Sequence, residues 1–392
     1  MHGRKKSDLP QTKEEKDAVK AKISNYEKAR LNPVVGAIRH KRTNGQMDGE
    51  YKHLLGKLLR LHPDYYSMWN FRKEAVLAEL GRIGDASIEK DEEKDAERKK
   101  EGQEESGLSS SSMEEKEVLL RSVYQEELAL SVDCIKRNPK SYPAWHHHKW
   151  ALEKGLHLLG ERSALSEDLA LCATFLDLDG RNFHCWAHRM WVAERMGLSA
   201  QEEFDFTTEK IKQNFSNYSA FHFRSKVLPR MVGEMGHDRW QLLSDELDLT
   251  HDAMFTEPAD QSVWWYHHFL LTWAEEGAAS CDTERYQDFL RAEAATLREL
   301  IDVEGRCKWA ELALLLVSRR LAKALEAAQP PPQPPHEEVF KVRESCRSMA
   351  SRLSELDPMH GRFYEFVERG GSVFGMKTGM KTGRAALNET DA

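Results

Sequence analysis

Apolar positions along this chain recur at three- and four-residue spacing, and sustained alternation of apolar and polar residues is nearly absent. The first period belongs to amphipathic helices; the second would have marked strands. Clear cases are "EEKEVLLRSVYQEELALSVDCIKR" (114–137), "ALSEDLALCATFLDLD" (164–179) and "DTERYQDFLRAEAATLRELIDVEG" (282–305). Another begins at Ser199 and Glu202, which have the spacing of a capping box. Each such stretch is followed by a turn and then by a second stretch rich in aromatic residues. The predicted unit is helix, turn, helix.

The aromatic-rich stretches are copies of one pattern. They are "HPDYYSMWNFRKEAVL" (62–77), "NPKSYPAWHHHKW" (138–150), "DGRNFHCWAHRMWVAE" (179–194), "NFSNYSAFHFRSKVLP" (214–229) and "EPADQSVWWYHHFLLT" (257–272). Their anchor aromatics are Trp69, Trp145, Trp186, Phe221 and Trp264. Three residues earlier stand Tyr66, Tyr142, Phe183, Tyr218 and Gln261; three residues later stand Arg72, His148, Arg189, Arg224 and His267. Four residues before the anchor come Ser141, Asn182, Asn217 and Asp260, all good helix N-caps, whereas Tyr65 breaks the rule in the first copy. The anchor, the residues three before and three after it, and the apolar residue seven after it (Leu152, Ala193) are expected to share one helical face. A sixth, degraded copy is expected around Trp309. Stacked helix pairs bury a continuous core that one pair cannot. The expected fold is all-α, a right-handed α-solenoid of helical hairpins.

Two segments interrupt the repeat. Residues 81–117 are dense in charge and serine and almost free of large apolar side chains, so they are expected to be a disordered insertion. Residues 329–335 contain "QPPPQPP", a stiff polyproline loop. The expected organisation is an N-terminal segment over 1–43, the helical-repeat domain over 44–370, and a flexible tail over 371–392. The tail's "GMKTGMKTG" lacks the spacing and the preceding strand of a phosphate-binding loop.

His146, His147 and His148 invite a metal-site interpretation. Successive helical side chains point about 100° apart, so three in a row do not converge on one ion. These histidines are expected to be helix-surface or stacking residues, and this chain is expected to bind no metal. Acidic residues outnumber basic ones, 65 to 57, for a formal charge of −8, which argues against a nucleic-acid binder. The six cysteines form no C-x-x-C pair and suit reduced thiols in a cytoplasmic protein. The start, MHGRKKSDLP, has no apolar signal region. The longest strongly apolar run, "WAELALLLV" at 309–317, is half a membrane span and contains Glu311. No transmembrane segment is expected.

The paired segments at 138–148 and 179–189 read N-P-K-x-Y-x-x-W-x-x-H and D-G-R-N-F-H-x-W-x-x-R. In these residues the chain resembles the α subunits of the protein prenyltransferases, from about Asn44 to Gly370 without the insertion. Within that family, the opening MHGR, the phenylalanine of "RNFHCW", and "KWAELALLL … LDPMHGRFYEFV" are most similar to the geranylgeranyltransferases that modify Rab GTPases. The extra leucine-rich and immunoglobulin-like domains of animal members have no room here, so a compact form is expected. The resemblance implies a heterodimer with a β subunit that carries zinc and the isoprenoid funnel. It implies geranylgeranyl diphosphate at the subunit interface and Rab, presented by an escort protein, as substrate. It further implies that Lys140 reaches the diphosphate leaving group, and that Tyr142 and His184 face the β-subunit cleft, lining the lipid or contacting the diphosphate. Phe183 lacks the hydroxyl found in the farnesyl-type enzymes. Two other readings stand beside it: the α chain shared by farnesyltransferase and geranylgeranyltransferase type I, and a non-catalytic helical-repeat scaffold.

Overall fold

The computed structural model describes residues 31–100, 110–278, 283–328 and 337–370, with a few helical residues between 17 and 29; between 86 and 112 it describes the backbone alone. Among the described residues there are fifteen α-helices, one short 3-10 turn and no strand. Two compact units divide the chain, Met1–Leu198 and Ser199–Ala392.

In the first unit the helices are α1 (Asn32–Thr43), α2 (Gly49–Leu61), α3 (Tyr66–Lys100), α4 (Ser110–Arg137), α5 (Tyr142–Leu159), α6 (Glu161–Leu178) and α7 (Phe183–Met196). Helices α2, α4 and α6 are the first members of hairpins whose second members, α3, α5 and α7, carry Trp69, Trp145 and Trp186. The apolar faces meet in a shared core. Leu152 and Leu156 of α5 pack with Leu165 of α6 and Val192 of α7, all buried. Helices α4 and α5 approach closely at Gly155, where a Cβ would lie 2.8 Å from the Tyr124 ring. Only glycine allows that distance. Helix α7 ends at Gly197, whose φ of 67° is left-handed and whose N–H bonds back to the last turn.

The second unit repeats the design with α8 (Ala200–Gln213), α9 (Tyr218–Met235), α10 (Arg239–Thr256), α11 (Gln261–Ala278), α12 (Thr283–Glu304) and α13 (Lys308–Ala327). Helices α14 (Glu337–Leu356) and α15 (Gly361–Glu368) follow, joined by the 3-10 turn Pro358–His360. The capping box forms at α8: Ser199 Oγ accepts from the Glu202 N–H, and Glu202 accepts from the Ser199 N–H at 2.9 Å.

Several expectations are corrected. Helix α3 runs to Lys100 and α4 starts at Ser110, so residues 81–100 and 110–117 are helical rather than disordered. "EKDEEKDAERKK" explains why: Glu, Lys, Ala and Arg favour helix, and opposite charges recur at four-residue spacing. Residues 101–109, the polyproline stretch 329–335 and the tail 371–392 lie outside the described residues. Helix α1 already precedes residue 44. The sixth copy is set in register by Cys307, the N-cap of α13. Its anchor position is therefore the buried Glu311, and Trp309 lies two residues earlier.

Candidate functional site

The inner face of each hairpin is stitched by a repeating set of bonds. Every tryptophan anchor donates its indole N–H to the carbonyl six residues earlier: Trp69 to Pro63 (2.7 Å), Trp145 to Pro139 (2.9 Å), Trp186 to Gly180 (2.8 Å) and Trp264 to Pro258 (2.8 Å). Two of those carbonyls also accept from the capping residue of the next copy. Ser141 Oγ reaches Pro63 at 2.9 Å, and Asn182 Nδ2 reaches Pro139 at 2.8 Å. Ser141 thus gives its hydroxyl to the neighbouring copy and makes no side-chain cap, contrary to expectation. Asn182, Asn217 and Asp260 do accept backbone N–H groups at their helix starts.

A second set of bonds was missed by pattern reasoning. Eighteen residues before the first four anchors after Trp69 stand Glu127, Asp168, Glu203 and Glu246, all buried. Glu293 and the anchor position Glu311 keep the same spacing. Glu127 accepts from Arg72 Nε at 3.0 Å and from His147 Nε2 at 3.0 Å. Asp168 is held between His148 Nε2 at 2.9 Å and His188 Nε2 at 2.5 Å. Glu246 accepts from Arg224 Nε at 2.7 Å and from the Tyr266 hydroxyl. Glu293 sits against His267 Nε2 at 2.8 Å and His251 Nε2 at 3.0 Å. In the first three cases, one partner stands three residues after the preceding anchor and the other two residues after the following anchor. The signal was the constant eighteen-residue offset, hidden in sequence by abundant surface acids.

Electrostatics follow from this arrangement. Burial alone would raise the carboxyls of Glu127 and Glu293, but their hydrogen-bonding cationic and imidazole partners bring both down to about 2. Asp168 is driven further below the carboxylate range by His148 and His188 against the same opposing burial. Burial pushes His147 and His188 down, favouring neutral rings, while Glu127 and Asp168 oppose that shift. His147 Nδ1 has no partner, which fits a neutral ring that donates from Nε2.

His147 and His148 are therefore buried, not the helix-surface residues expected; only His146 is exposed. His148, Asp168 and His188 are also the one trio among the described residues with the composition and closeness of a metal site. The geometry favours hydrogen bonding. Each imidazole meets a different oxygen of Asp168, and copies with Arg72–Glu127 or Arg224–Glu246 fill the same columns with pairs that include a guanidinium.

The residues three before the anchor are not on the buried face either. Tyr66, Tyr142, Phe183 and Tyr218 are exposed. Each is the first residue of its helix, and a helical Cβ leans toward the N-terminus, so these rings project past the helix end. Along α5 and α7 this brings the sequence-predicted site residues together. Tyr142 lies edge-on to His184 with ring centres 5.9 Å apart, and Phe183 covers His184 at 3.9 Å. Lys140, in the turn before α5, places its ammonium 3.4 Å from Asp179 in the turn before α7. Both turns are fixed by the Asn182–Pro139 bond, and the Lys140 side chain keeps 44% of its exposure. The result is an accessible cation beside an exposed aromatic row. Burial lowers the His184 imidazole, which favours its neutral form.

Architecture and repeat chemistry define a helical-repeat protein. Residues 53–78, 124–155, 165–196, 200–231 and 243–274 match the protein prenyltransferase alpha subunit repeat. The chain belongs to the protein prenyltransferase α-subunit repeat family. It is 35% identical over 287 residues to the geranylgeranyl transferase type-2 subunit alpha of Rattus norvegicus, covering 72% of this chain and 43% of that protein. The Homo sapiens protein of the same name is 34% identical over 277 residues, 69% of this chain and 42% of that protein. Geranylgeranyl transferase type-2 subunit alpha 2 of Arabidopsis thaliana is 30% identical over 283 residues, 69% of this chain and 35% of that protein. The chain spans less than half the length of these relatives. A solved structure of Candida albicans protein geranylgeranyltransferase-I complexed with GGPP has a chain with the same fold, with a TM-score of 0.54 and 14% identity, covering 86% of this chain and 89% of that one. No helix among the described residues is long and apolar enough to cross a membrane.

Proposed function

We propose that this chain is the α subunit of a heterodimeric protein geranylgeranyltransferase of the Rab-modifying type, inactive without its β subunit. The observation that carries the reading is the juxtaposition of Lys140, Tyr142 and His184 on a solvent-facing edge of a prenyltransferase repeat array. The type-2 names of the curated relatives favour this branch over the α chain shared by farnesyltransferase and geranylgeranyltransferase type I. A pure scaffold has no need of an accessible ammonium at this edge.

In this reading the β subunit carries zinc and most of the lipid site, and zinc there would supply the substrate cysteine as a thiolate at neutral pH. The new bond joins cysteine sulfur to C1 of geranylgeranyl diphosphate; the bond that breaks releases diphosphate with the electron pair. Negative charge grows on the bridging oxygen as it leaves. Lys140 would stabilise that charge more in the transition state than in the ground state, which is what raises a rate. Asp179 keeps the ammonium from folding back onto the turn, and Tyr142 and His184 would form the wall that the lipid or diphosphate meets.

Two measurements test this. Co-purification with a type-2 β subunit, followed by prenylation of Rab with escort protein and of a C-a-a-X peptide, is expected to give activity on Rab alone. In the same complex, Lys140→Ala is expected to leave assembly intact and slow single-turnover transfer from pre-bound lipid by roughly 10- to 1000-fold. Arginine at 140 is expected to rescue poorly, since its planar fork is no substitute for a compact ammonium. An unchanged single-turnover rate would remove Lys140 from the chemistry.

A further inference from the structure

A cluster of cations on the first unit lacks any counter-charge of its own. His146 on α5 is exposed, and Lys73 Nζ on α3 lies 3.3 Å from its Nδ1. Lys149, one turn further along α5, acts on the same imidazole, and both ammoniums hold it below its usual range, after burial. Neither lysine has a carboxylate partner among the described residues, although the chain carries 65 acidic residues against 57 lysines and arginines. Instead each ammonium lies over a tryptophan: Lys73 over Trp150 at 5.1 Å and Lys149 over Trp191 at 4.7 Å. Tyr142 stacks on His146 at 6.2 Å and completes the aromatic surround. The second unit carries a smaller version, in which Tyr218 stacks on His222 at 6.1 Å and Lys226 lies over Phe223 at 5.2 Å. Burial lowers Lys73 and Lys226, so a neighbouring negative charge would be met by ammoniums now held at a desolvation cost.

The kind of anion follows from the surroundings. Phosphate groups are bound by helix N-termini, by runs of backbone N–H groups or by guanidinium forks. Lys73 and Lys149 lie inside their helices, where the backbone N–H groups are already used, and no arginine joins them. Lysines backed by Trp150, Trp191 and Tyr142 have the composition of a protein interface: aromatic area with charge at its margin. We infer that the face formed by Lys73, His146 and Lys149 with Trp150 and Trp191 docks an acidic, carboxylate-bearing segment of the partner subunit. The inference rests on the heterodimer proposed above and names the electrostatic contact that guides it. Opposite charges across such a face accelerate encounter, and salt weakens them.

The experiment compares the full-length chain with its K73Q/K149Q variant in association with the type-2 β subunit, at about 50 and about 500 mM salt, where screening lengths differ about threefold. Circular dichroism establishes that the variant is folded, and K73R/K149R serves as the charge-preserving control. The parent is expected to associate faster at low salt, the glutamine variant to lose roughly 10-fold in association rate and most of that salt dependence, and the arginine variant to keep both. Equal rates and equal salt dependence in parent and glutamine variant would overturn the inference while leaving the heterodimer standing. Displacement of the β subunit from the parent by inorganic diphosphate, but not from the glutamine variant, would show a phosphate site and overturn it too. A parent that binds no β subunit at any salt would overturn both the docking face and the function on which it rests.

Discussion

Adjacent residues on one helix can serve different neighbours. His147 turns back to Glu127 of its own hairpin, while His148 reaches forward to Asp168 of the next. The 100° between them is what makes this division possible, and it is also what argues against three histidines converging on one ion. The anchors and caps were legible because each is a distinctive residue at a fixed offset. The burial of His147 and His148 was not, because it depends on acids supplied by other helices. Those pairs predict a pH effect. Glu127 has its carboxyl lowered from 4.5 to about 2, so its stabilising contribution is complete above pH 4.5 and fades as pH falls toward 2. His147, lowered by burial, adds loss in the same direction, since acidification must charge a buried ring. Glu127→Gln is expected to cost about 3 kcal/mol at neutral pH, because Arg72 and His147 lose their acceptor. Its stability should also change less between pH 5 and 3 than the parent's, measured by urea titration. Parallel curves would show that Glu127 titrates alike in both states. Trp145→Ala, which removes a 4%-exposed ring and its bond to Pro139, is expected to cost about 3–5 kcal/mol.

At the scale of elements, the period of the apolar pattern identified the hairpins and their order. It failed at helix ends and in the charged stretch. The ring three residues before each anchor shares the anchor's face on a helical wheel, but the helix starts there, so Tyr142 and Phe183 overhang the end and stay exposed. In 81–117, the scarcity of apolar residues correctly signals that no packed core forms from it, but helix also arises from propensity and charge spacing. These two effects can be separated. Replacing residues 86–109 by a short glycine-serine loop is expected to reduce helical ellipticity in proportion to the lost turns while moving the melting temperature by no more than about 2 °C, since helix without apolar burial adds little to global stability. An unchanged ellipticity would mean those turns are not helical in solution. A large drop in melting temperature would mean they pack against the hairpins.

For the whole molecule, the stacking of copies sets how a local defect spreads. Each buried carboxylate links a hairpin to the next one, and so do the bonds from Ser141 to Pro63 and from Asn182 to Pro139. Almost every strong contact is thus between neighbours, so stability is close to a sum of hairpin and interface contributions. The repeated units that create this were plain in the sequence. The candidate site was only half so, because Lys140, Tyr142 and His184 could be picked out by resemblance, while Asp179 and the unpaired cluster at Lys73, His146 and Lys149 emerge from folding. Nearest-neighbour coupling predicts a graded response to Trp145→Ala. Amide exchange should accelerate most in α5, which loses its anchor, and next in α4 and α6, which pack against it. Within the second unit, α10 to α13 should exchange at nearly the parental rate, because their own carboxylate pairs at Glu246 and Glu293 are untouched. Hydrogen exchange followed by mass spectrometry reads both regions in one sample. Uniform acceleration from α2 to α13 would instead show that the chain opens as a single cooperative body, and the buried carboxylates would then be links in one core rather than separate joints.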